Sequence, residues 1–387
     1  MLFIHKTISL CDHCYRHIPA NVIEEDDSIK IVKRCPEHGE MRAVVETDKH
    51  FYYGLQHTAE VKGFNQILFE VTDRCQLNCP HCYHLPDNKT TDRAIEDIVC
   101  QVKEFSKEAT PMLAGAEPTL RPDFVELCKA INDLGFKRLD VLTNGLRFAD
   151  REFAQSCFDA GLGQLSIGLN HHSYQGEKIH AKQLTAIQTA LDVGFYISYI
   201  GYTLETREHL PDVLDEIIRI RNFSIENIWQ FRIRCGSFIG RSNDSKRSYL
   251  SDTVKAVIDY LGKDKCEIVG LDDNPYHVVI KYDGTSLRII QWPDVTNIDM
   301  EELNTGPWCQ FYTGPITNFV HQVITRDYYK NMNKSALDQC PPRYQHQTPE
   351  QVGKSYWKYN WQGPIEIEEL DWTYVDRPKP IFTLTFN

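Results

Sequence analysis

Long hydrophobic runs are missing from this 387-residue sequence, and so is any excess of positive charge. The longest apolar stretches fall well short of the roughly 18 residues a membrane-spanning helix needs. With 42 Lys and Arg against 54 Asp and Glu, the net charge of −12 disfavours sequence-independent binding to a phosphate backbone. No linker, repeat or low-complexity segment points to a disordered or fibrous chain. The opening MLFIHKTISLCDHC lacks the apolar core of a signal peptide. The expectations are a cytoplasmic enzyme, no nucleic-acid partner and no membrane span.

What is present is an ordinary globular balance, 42% hydrophobic and 25% charged, with enough apolar material for a large core. The length exceeds a single domain of roughly 150 residues, and the pattern divides it into three: 1–62, 63–262 and 263–387. In the middle segment short apolar runs alternate with amphipathic stretches, the signature of βα units around a parallel sheet. Strands are expected at 67–72, 111–114, 139–143, 164–169, 195–203 and 228–234. Helices are expected from about Thr91, after Pro122 and Asp150, over 181–193 ending at Gly194, over 211–220, and over 252–261. The fold class is α/β: a partial (β/α)6 TIM-like barrel, with an N-terminal metal-knuckle module and a C-terminal α+β cap. In the cap, Asp283-Gly284-Thr285 between two apolar runs predicts a hairpin.

Thirteen cysteines are too few for a disulfide scaffold of this size, and their clustering reads as thiolate metal ligation in a reducing compartment. Cys75, Cys79 and Cys82 follow the first barrel strand and offer three thiolates within eight residues. Three close cysteines can hold three irons of a [4Fe–4S] cluster and leave the fourth open to an exogenous ligand, which a pure electron carrier does not need. The competing reading is a zinc site completed by His81 or His84.

This Cys-x3-Cys-x2-Cys spacing after strand one of a six-unit partial barrel resembles the radical S-adenosylmethionine (SAM) superfamily, over about residues 64–261. Gly115-Ala116-Glu117-Pro118, after strand two, resembles that family's Gly-Gly-Glu-Pro segment, with alanine in place of the second glycine. The resemblance implies a [4Fe–4S] cluster on Cys75, Cys79 and Cys82. It also implies SAM chelated at the open iron, the His81 backbone at the adenine, and the backbone of the 115–118 loop at the SAM amino group. Asn144 ends strand three. Ser166 lies with Gln164 and Gly168 on one face of strand four, and Arg232 and Arg234 lie with Gln230 on one face of strand six. Polar positions on strands covered on both sides imply a polar, ligand-filled lumen. An arginine there could fork onto a carboxylate, and Arg234, nearer the C-terminal end, is the better placed. Arg232 could equally pair with a core carboxylate such as Asp140.

Cys11-x2-Cys14 and Cys35-x2-His38 form two knuckles able to give a tetrahedral ion Cys3His ligation, with zinc first and rubredoxin-like iron second. His13 or His17 could replace His38. Together with the triplet, this module resembles one branch of the superfamily, to which an archaeal tetraether lipid synthase and a pterin-modifying methyltransferase belong.

Cys235, Cys266, Cys309 and Cys340 are far apart in sequence and could hold an auxiliary cluster only if folding gathers them; lone cysteines are more often small core residues. Cys100, Cys128 and Cys157 are expected to pack inside helices. Cys309 and Tyr312 are the catalytic candidates, as hydrogen-atom donors to a substrate radical.

The function expected is a radical SAM enzyme. Its 5′-deoxyadenosyl radical would abstract hydrogen from an unactivated C–H bond of a small-molecule or lipid-linked substrate, with a reductase or flavodoxin-type protein as electron donor. The net reaction could be C–C bond formation, alkylation, dehydrogenation or rearrangement. The rivals are a non-catalytic iron–sulfur or zinc protein on a degenerate barrel, serving as redox carrier or scaffold, and a zinc hydrolase.

Overall fold

The computed structural model describes residues 1–14, 17–55, 66–82, 86–103, 105, 107–222, 226–236, 248–270, 277–291 and 296–299. His84, Cys309, Tyr312 and Cys340, and most of the 263–387 segment, lie outside these residues.

The N-terminal module is an antiparallel meander of β1 (Leu2–Leu10), β2 (His17–Glu25), β3 (Ser28–Cys35) and β4 (Gly39–Glu46), paired in that order. Glu25 faces Ser28 across a two-residue loop in which Asp26 takes φ 58°, a left-handed conformation an acidic turn residue tolerates. Cys35 faces Gly39 across Pro36-Glu37-His38, so the second hairpin carries the second knuckle. Ile4, Val22, Ile29, Ile31 and Val45 bury together against Tyr52 of α1 (Lys49–Leu55). This small core had not been expected from the sequence.

The second sheet has nine strands. Six parallel ones form its body: β5 (Gln66–Thr72), β6 (Thr110–Gly115), β7 (Asp140–Thr143), β8 (Gln164–Gly168), β9 (Tyr196–Thr203) and β10 (Phe231–Arg234). Each is followed by a helix: α2 (Ile95–Val102), α3 (Phe124–Asn132), α4 (Arg151–Asp159), α5 (Glu177–Val193), α6 (Leu210–Arg221) and α7 (Leu250–Leu261). The six βα units are those expected. Asp150 caps α4 by accepting N–H bonds from Glu152 and Phe153, and Gly194 ends α5 in the left-handed conformation. Strand β10 is shorter than expected, because Trp229 faces solvent and only Ile228 bridges to Ile197 before Phe231. The core lies between the sheet and its helices, with Val71, Leu113, Val141, Ile167, Ile200 and Ile233 buried on it.

The hairpin expected in the cap joins the barrel sheet. β11 (Cys266–Gly270), β12 (His277–Tyr282) and β13 (Thr285–Ile290) follow α7, and β13 pairs parallel with β10. Asp283 and Gly284 both take positive φ, 45° and 77°, as a two-residue hairpin turn of that hand requires. Leu287 and Ile289 bury beside Phe231 and Ile233, so the apolar face of the hairpin extends the barrel core. The sheet order is β11-β12-β13-β10-β9-β8-β7-β6-β5.

The two sheets meet at α7. Glu46, at the end of β4, is buried and accepts bonds from the hydroxyl and N–H of Ser251, in the first turn of α7. Lys255 Nζ reaches Asp48 at 2.7 Å, and Thr7 and His5 both reach Asp299 at 2.6 Å. Among the described residues, no helix is long and apolar enough to cross a membrane.

Candidate cofactor and metal sites

The knuckle is set by two hairpin ends. The ligand atoms of Cys11, Cys14, Cys35 and His38 all lie within 4.8 Å of one another. Cys14 and Cys35 sulfurs are 3.9 Å apart, and His38 Nδ1 is 3.4 Å from both Cys11 and Cys35 sulfurs. A tetrahedral zinc with Zn–S near 2.3 Å and Zn–N near 2.0–2.1 Å implies edges of about 3.8 Å between sulfurs and about 3.5 Å from sulfur to nitrogen. The four side chains therefore fit that ion. Burial pushes the Cys35 thiol up, but N–H groups of Glu37 and His38 and the His38 ring outweigh it, and the thiol falls to about 7. Lys33, fully buried beside the knuckle, bonds the Leu10 carbonyl at 2.6 Å and pairs with Asp12. His38, and not His13, has a ligand atom grouped with those of the three cysteines, the His13 ring lying 5.1 Å from that of His38; the His17 side chain is outside the described set.

The cysteine triplet leaves the C-terminal end of β5, where barrel ligands bind. Cys75 is buried, its N–H held by Asn88 Oδ1 at 2.9 Å. Its sulfur receives the Leu77 N–H at 3.4 Å, with Asn144 Nδ2 at 4.0 Å. Cys79 receives Gln175 Nε2 at 2.8 Å, and the Cys82 N–H turns back to the Cys79 carbonyl. Burial pushes the Cys75 thiol up to about 11, with Glu117 and Cys82 adding to it. Amide donors aimed at the Cys75 and Cys79 sulfurs suit thiolates bound to a metal cluster.

The neighbouring loop is pinned by its backbone. Ala116 N–H bonds Thr72 O at 3.0 Å and Glu117 N–H bonds Arg74 O at 2.9 Å. Gly115 has φ 125°, and a Cβ there would stand 2.3 Å from the Thr72 carbonyl oxygen. The N–H groups of Ala116 and Glu117 are thus spent on the cysteine loop, so the backbone groups they leave to a ligand's ammonium are carbonyls. The Glu117 carboxylate turns inward. It accepts from the Thr119 hydroxyl and N–H, from the Thr143 hydroxyl at 2.7 Å and from the Asn144 N–H at 2.7 Å. Burial pushes its pKa up against these bonds. Pro118 is buried at the start of the short turn 118–120.

Inside the sheet, Asp140, Ser166, Ser198 and Gln230 are buried polar side chains. Ser166 Oγ donates to Asp140 at 3.0 Å. The Arg232 guanidinium lies 3.7 Å above the Tyr199 ring, and its Nε bonds Gln230 at 2.6 Å. Burial raises the Asp140 carboxyl to about 6, although Ser198, Ser166 and the Arg232 charge hold it down. Arg234 lies two residues further along β10, toward the cysteine loop, where its charge is felt at His81. His81 is buried, its Nδ1 3.7 Å from Glu205, its ring edge-on to Tyr174 at 5.1 Å.

Two family models match the chain: the HMPTM N-terminal zinc ribbon domain over residues 3–47, and the radical SAM superfamily over residues 69–217. The chain carries a radical SAM domain behind an N-terminal zinc ribbon. It is 28% identical over 293 residues to a 7,8-dihydro-6-hydroxymethylpterin dimethyltransferase of Methanocaldococcus jannaschii, covering 65% of this chain and 58% of that one. It is 30% identical over 151 residues to a GTP 3′,8-cyclase of Aeromonas hydrophila, covering 35% and 44%. The chain thus spans about half the length of these curated relatives. A radical SAM domain works with a [4Fe–4S] cluster and SAM, and a zinc ribbon takes zinc rather than the rubredoxin-like iron held as second choice.

The structure divides the expected site residues into two levels. Cys75, Cys79, Cys82, His81, Asn144 and the 115–118 loop gather at the C-terminal mouth with Arg234, while Ser166 and Arg232 lie deeper with Asp140. Asn144 is a loop link: its Oδ1 accepts from Leu146 N–H at 3.1 Å and Gln76 at 3.4 Å. Cys235 is a core residue bonded to the Thr253 hydroxyl, its thiol pushed up to about 12 by burial, and Cys266 is half-buried on β11. Among the described residues the ribbon knuckle is the one close-set metal group. Cys128 and Cys157 pack as expected, whereas Cys100 faces solvent on α2 because Ile98 and Val102 take its buried side.

Tyr199, Tyr174, Gln175 and Glu205 were not singled out from the sequence. Tyr174, Gln175 and Glu205 sit in loops after β8 and β9, at the end of the barrel where ligands bind, and position alone could have marked them. Tyr199 could not have been found by alternation. The β8–β9 register shifts between Leu165 and Ser166, so Ile197 and Ile200 both stay in the core while Ser198 and Tyr199 reach the Asp140 network.

Proposed function

We propose that this radical SAM enzyme takes hydrogen from a C–H bond of a small polar molecule with a reduced pterin-like ring, bound within the barrel. The supporting observation is the lumen itself. Asp140, Ser166, Ser198 and Gln230 are buried and Arg232 is half-buried there, a polar interior that offers a hydrocarbon tail little apolar surface to pack against. That favours a polar heterocycle over a lipid-linked substrate. The pterin named in the Methanocaldococcus jannaschii relative is such a molecule, and the Arg232–Tyr199 stack beside a carboxylate suits its donors and acceptors.

In this reading Cys75, Cys79 and Cys82 hold the cluster, which when bound supplies one electron to SAM and so a carbon-centred radical. The chain's own residues do the rest. The 115–118 loop offers carbonyls to the SAM ammonium, and Arg234 offers two parallel N–H donors to a carboxylate. Asp140, with its carboxyl near 6, is ionised at neutral pH and orients Arg232. A cytoplasmic reductase or flavodoxin-type donor supplies the electron.

The test is anaerobic incubation of iron- and sulfide-reconstituted protein with SAM and dithionite, with and without 7,8-dihydro-6-hydroxymethylpterin. Release of 5′-deoxyadenosine that rises with the pterin supports the reading. Full iron loading with no release would favour the redox or scaffold rival.

A further inference from the structure

On the reading that Cys75, Cys79 and Cys82 hold the cluster, we propose that Gln175 is a positioning residue that sets the cluster's reduction potential through its hydrogen bond to Cys79. Gln175 lies 96 residues from Cys79 in sequence, yet its Nε2 stands 2.8 Å from the Cys79 sulfur. A thiolate accepts and cannot donate, so the N–H side of the amide must face it. The Oε1 atom is buried and has no hydrogen-bond partner among the described residues. Leaving a buried carbonyl oxygen without a partner is a cost that a side chain placed only for packing need not incur.

The segment that carries Gln175 is held from several sides. After β8 the chain takes a left-handed step at Asn170 (φ 57°), then a short turn over His172–Tyr174. The Tyr174 hydroxyl accepts the Glu205 N–H at 2.9 Å and meets His209 Nδ1 at 3.1 Å. His171 stacks on His209 at 4.1 Å with the rings 8° apart, and bonds Asp212. Gly176, at φ 85°, then leads directly into α5. The amide is therefore presented to Cys79 by a loop fixed to the β9–α6 connection.

The physical consequence concerns charge. Adding an electron makes the cluster and its thiolates more negative, and an N–H donor on a ligating sulfur stabilises that state more than the oxidised one. Gln175 thus makes the cluster easier to reduce. Asn144 Nδ2, at 4.0 Å from Cys75, is the weaker counterpart.

The experiment uses the full chain, reconstituted anaerobically, as wild type, Gln175→Leu and Gln175→Glu. Iron and sulfide content are measured first, then the reduced fraction by electron paramagnetic resonance across a redox titration. Gln175→Leu is expected to keep its iron but to show a reduced-to-oxidised ratio about three- to tenfold lower at the wild-type midpoint; tenfold corresponds to about 59 mV for a one-electron couple. Gln175→Glu, isosteric but unable to donate when ionised, is expected to fall at least as far, and decides the matter if the leucine variant binds no iron. Iron-loaded variants with an unchanged ratio would overturn the inference. So would loss of the cluster from both variants, which would make Gln175 a structural tether. A wild type whose triplet binds no cluster would instead overturn the reading of Cys75, Cys79 and Cys82.

Discussion

Glu117 and Asn144, 27 residues apart, are joined by a 2.7 Å hydrogen bond from the Asn144 backbone N–H to the Glu117 carboxylate. Asn144 in turn places its side-chain amide near Cys75, so the ends of β6 and β7 and the cysteine loop are tied through one buried carboxylate. Glu117→Ala should leave donors of Thr119, Thr143 and Asn144 without an acceptor, at about 3 kcal/mol or more in total. Denaturant unfolding of the variant should show it; a midpoint within error of wild type would mean that water replaces the carboxylate freely.

The combined substitutions Cys75→Ala, Cys79→Ala and Cys82→Ala should remove the ~400 nm iron–sulfur absorption and all SAM cleavage, since each thiolate anchors one iron. Zinc bound at the ribbon should remain. Turnover by the triple variant would sink the assignment.

Cys35→Ser should release zinc, lower the melting temperature and leave the cluster in place. The free energy of metal binding is folding free energy for so small a sheet. Because Glu46 accepts the α7 bonds through Ser251, part of the loss should spread into the barrel. Zinc content, a melting curve and cluster absorption on one sample separate these effects; loss of the cluster with an unchanged melting curve would contradict them.

Arg234→Ala should weaken SAM or substrate binding about 30-fold or more, the ~2–5 kcal/mol of a truncated buried charge pair. Melting should change little by comparison. Titration of SAM and of substrate into the variant provides the check, and unaltered affinity for both would shift the role to Arg232.

Asp140 supplies a pH test. Its carboxyl titrates near 6 in the folded chain against an ordinary 3.8, so the folded state holds its proton more tightly. Its contribution to stability is therefore fully present below 3.8 and is lost as pH rises toward about 6. Asp140→Asn removes that slope, and its stability relative to wild type should improve across this window and level off above it. Urea unfolding between pH 4 and 7 measures the difference; a constant offset would refute the shift.

Much of the barrel was legible because its signals are local. Asp150 and Gly194 cap helices where their residue types lead one to expect caps, and β5 to β9 are short, largely apolar segments set between amphipathic helices. The cysteine triplet announced itself by spacing. The ribbon sheet was harder to see, since β4 buries mainly its last two residues and β3 buries a lysine, Lys33, among its aliphatics. The inward turn of Glu117, the reach of Gln175 to Cys79 and the outward face of Cys100 depend on contacts far apart in the chain, which periodicity does not carry. The Asp283-Gly284 turn was foreseen, but not that its hairpin would pair onto β10, because a parallel partner leaves no local signature.

Gly115 bears on how the motif around it should be read. With a side chain there, Cβ would overlap the Thr72 carbonyl, whatever ligand the barrel held. A descendant that had lost its cluster and its chemistry would still require glycine at this position to seat β5 against the end of β6. The first letter of the motif is thus a record of two backbones meeting, and the three cysteines are the part that speaks to catalysis.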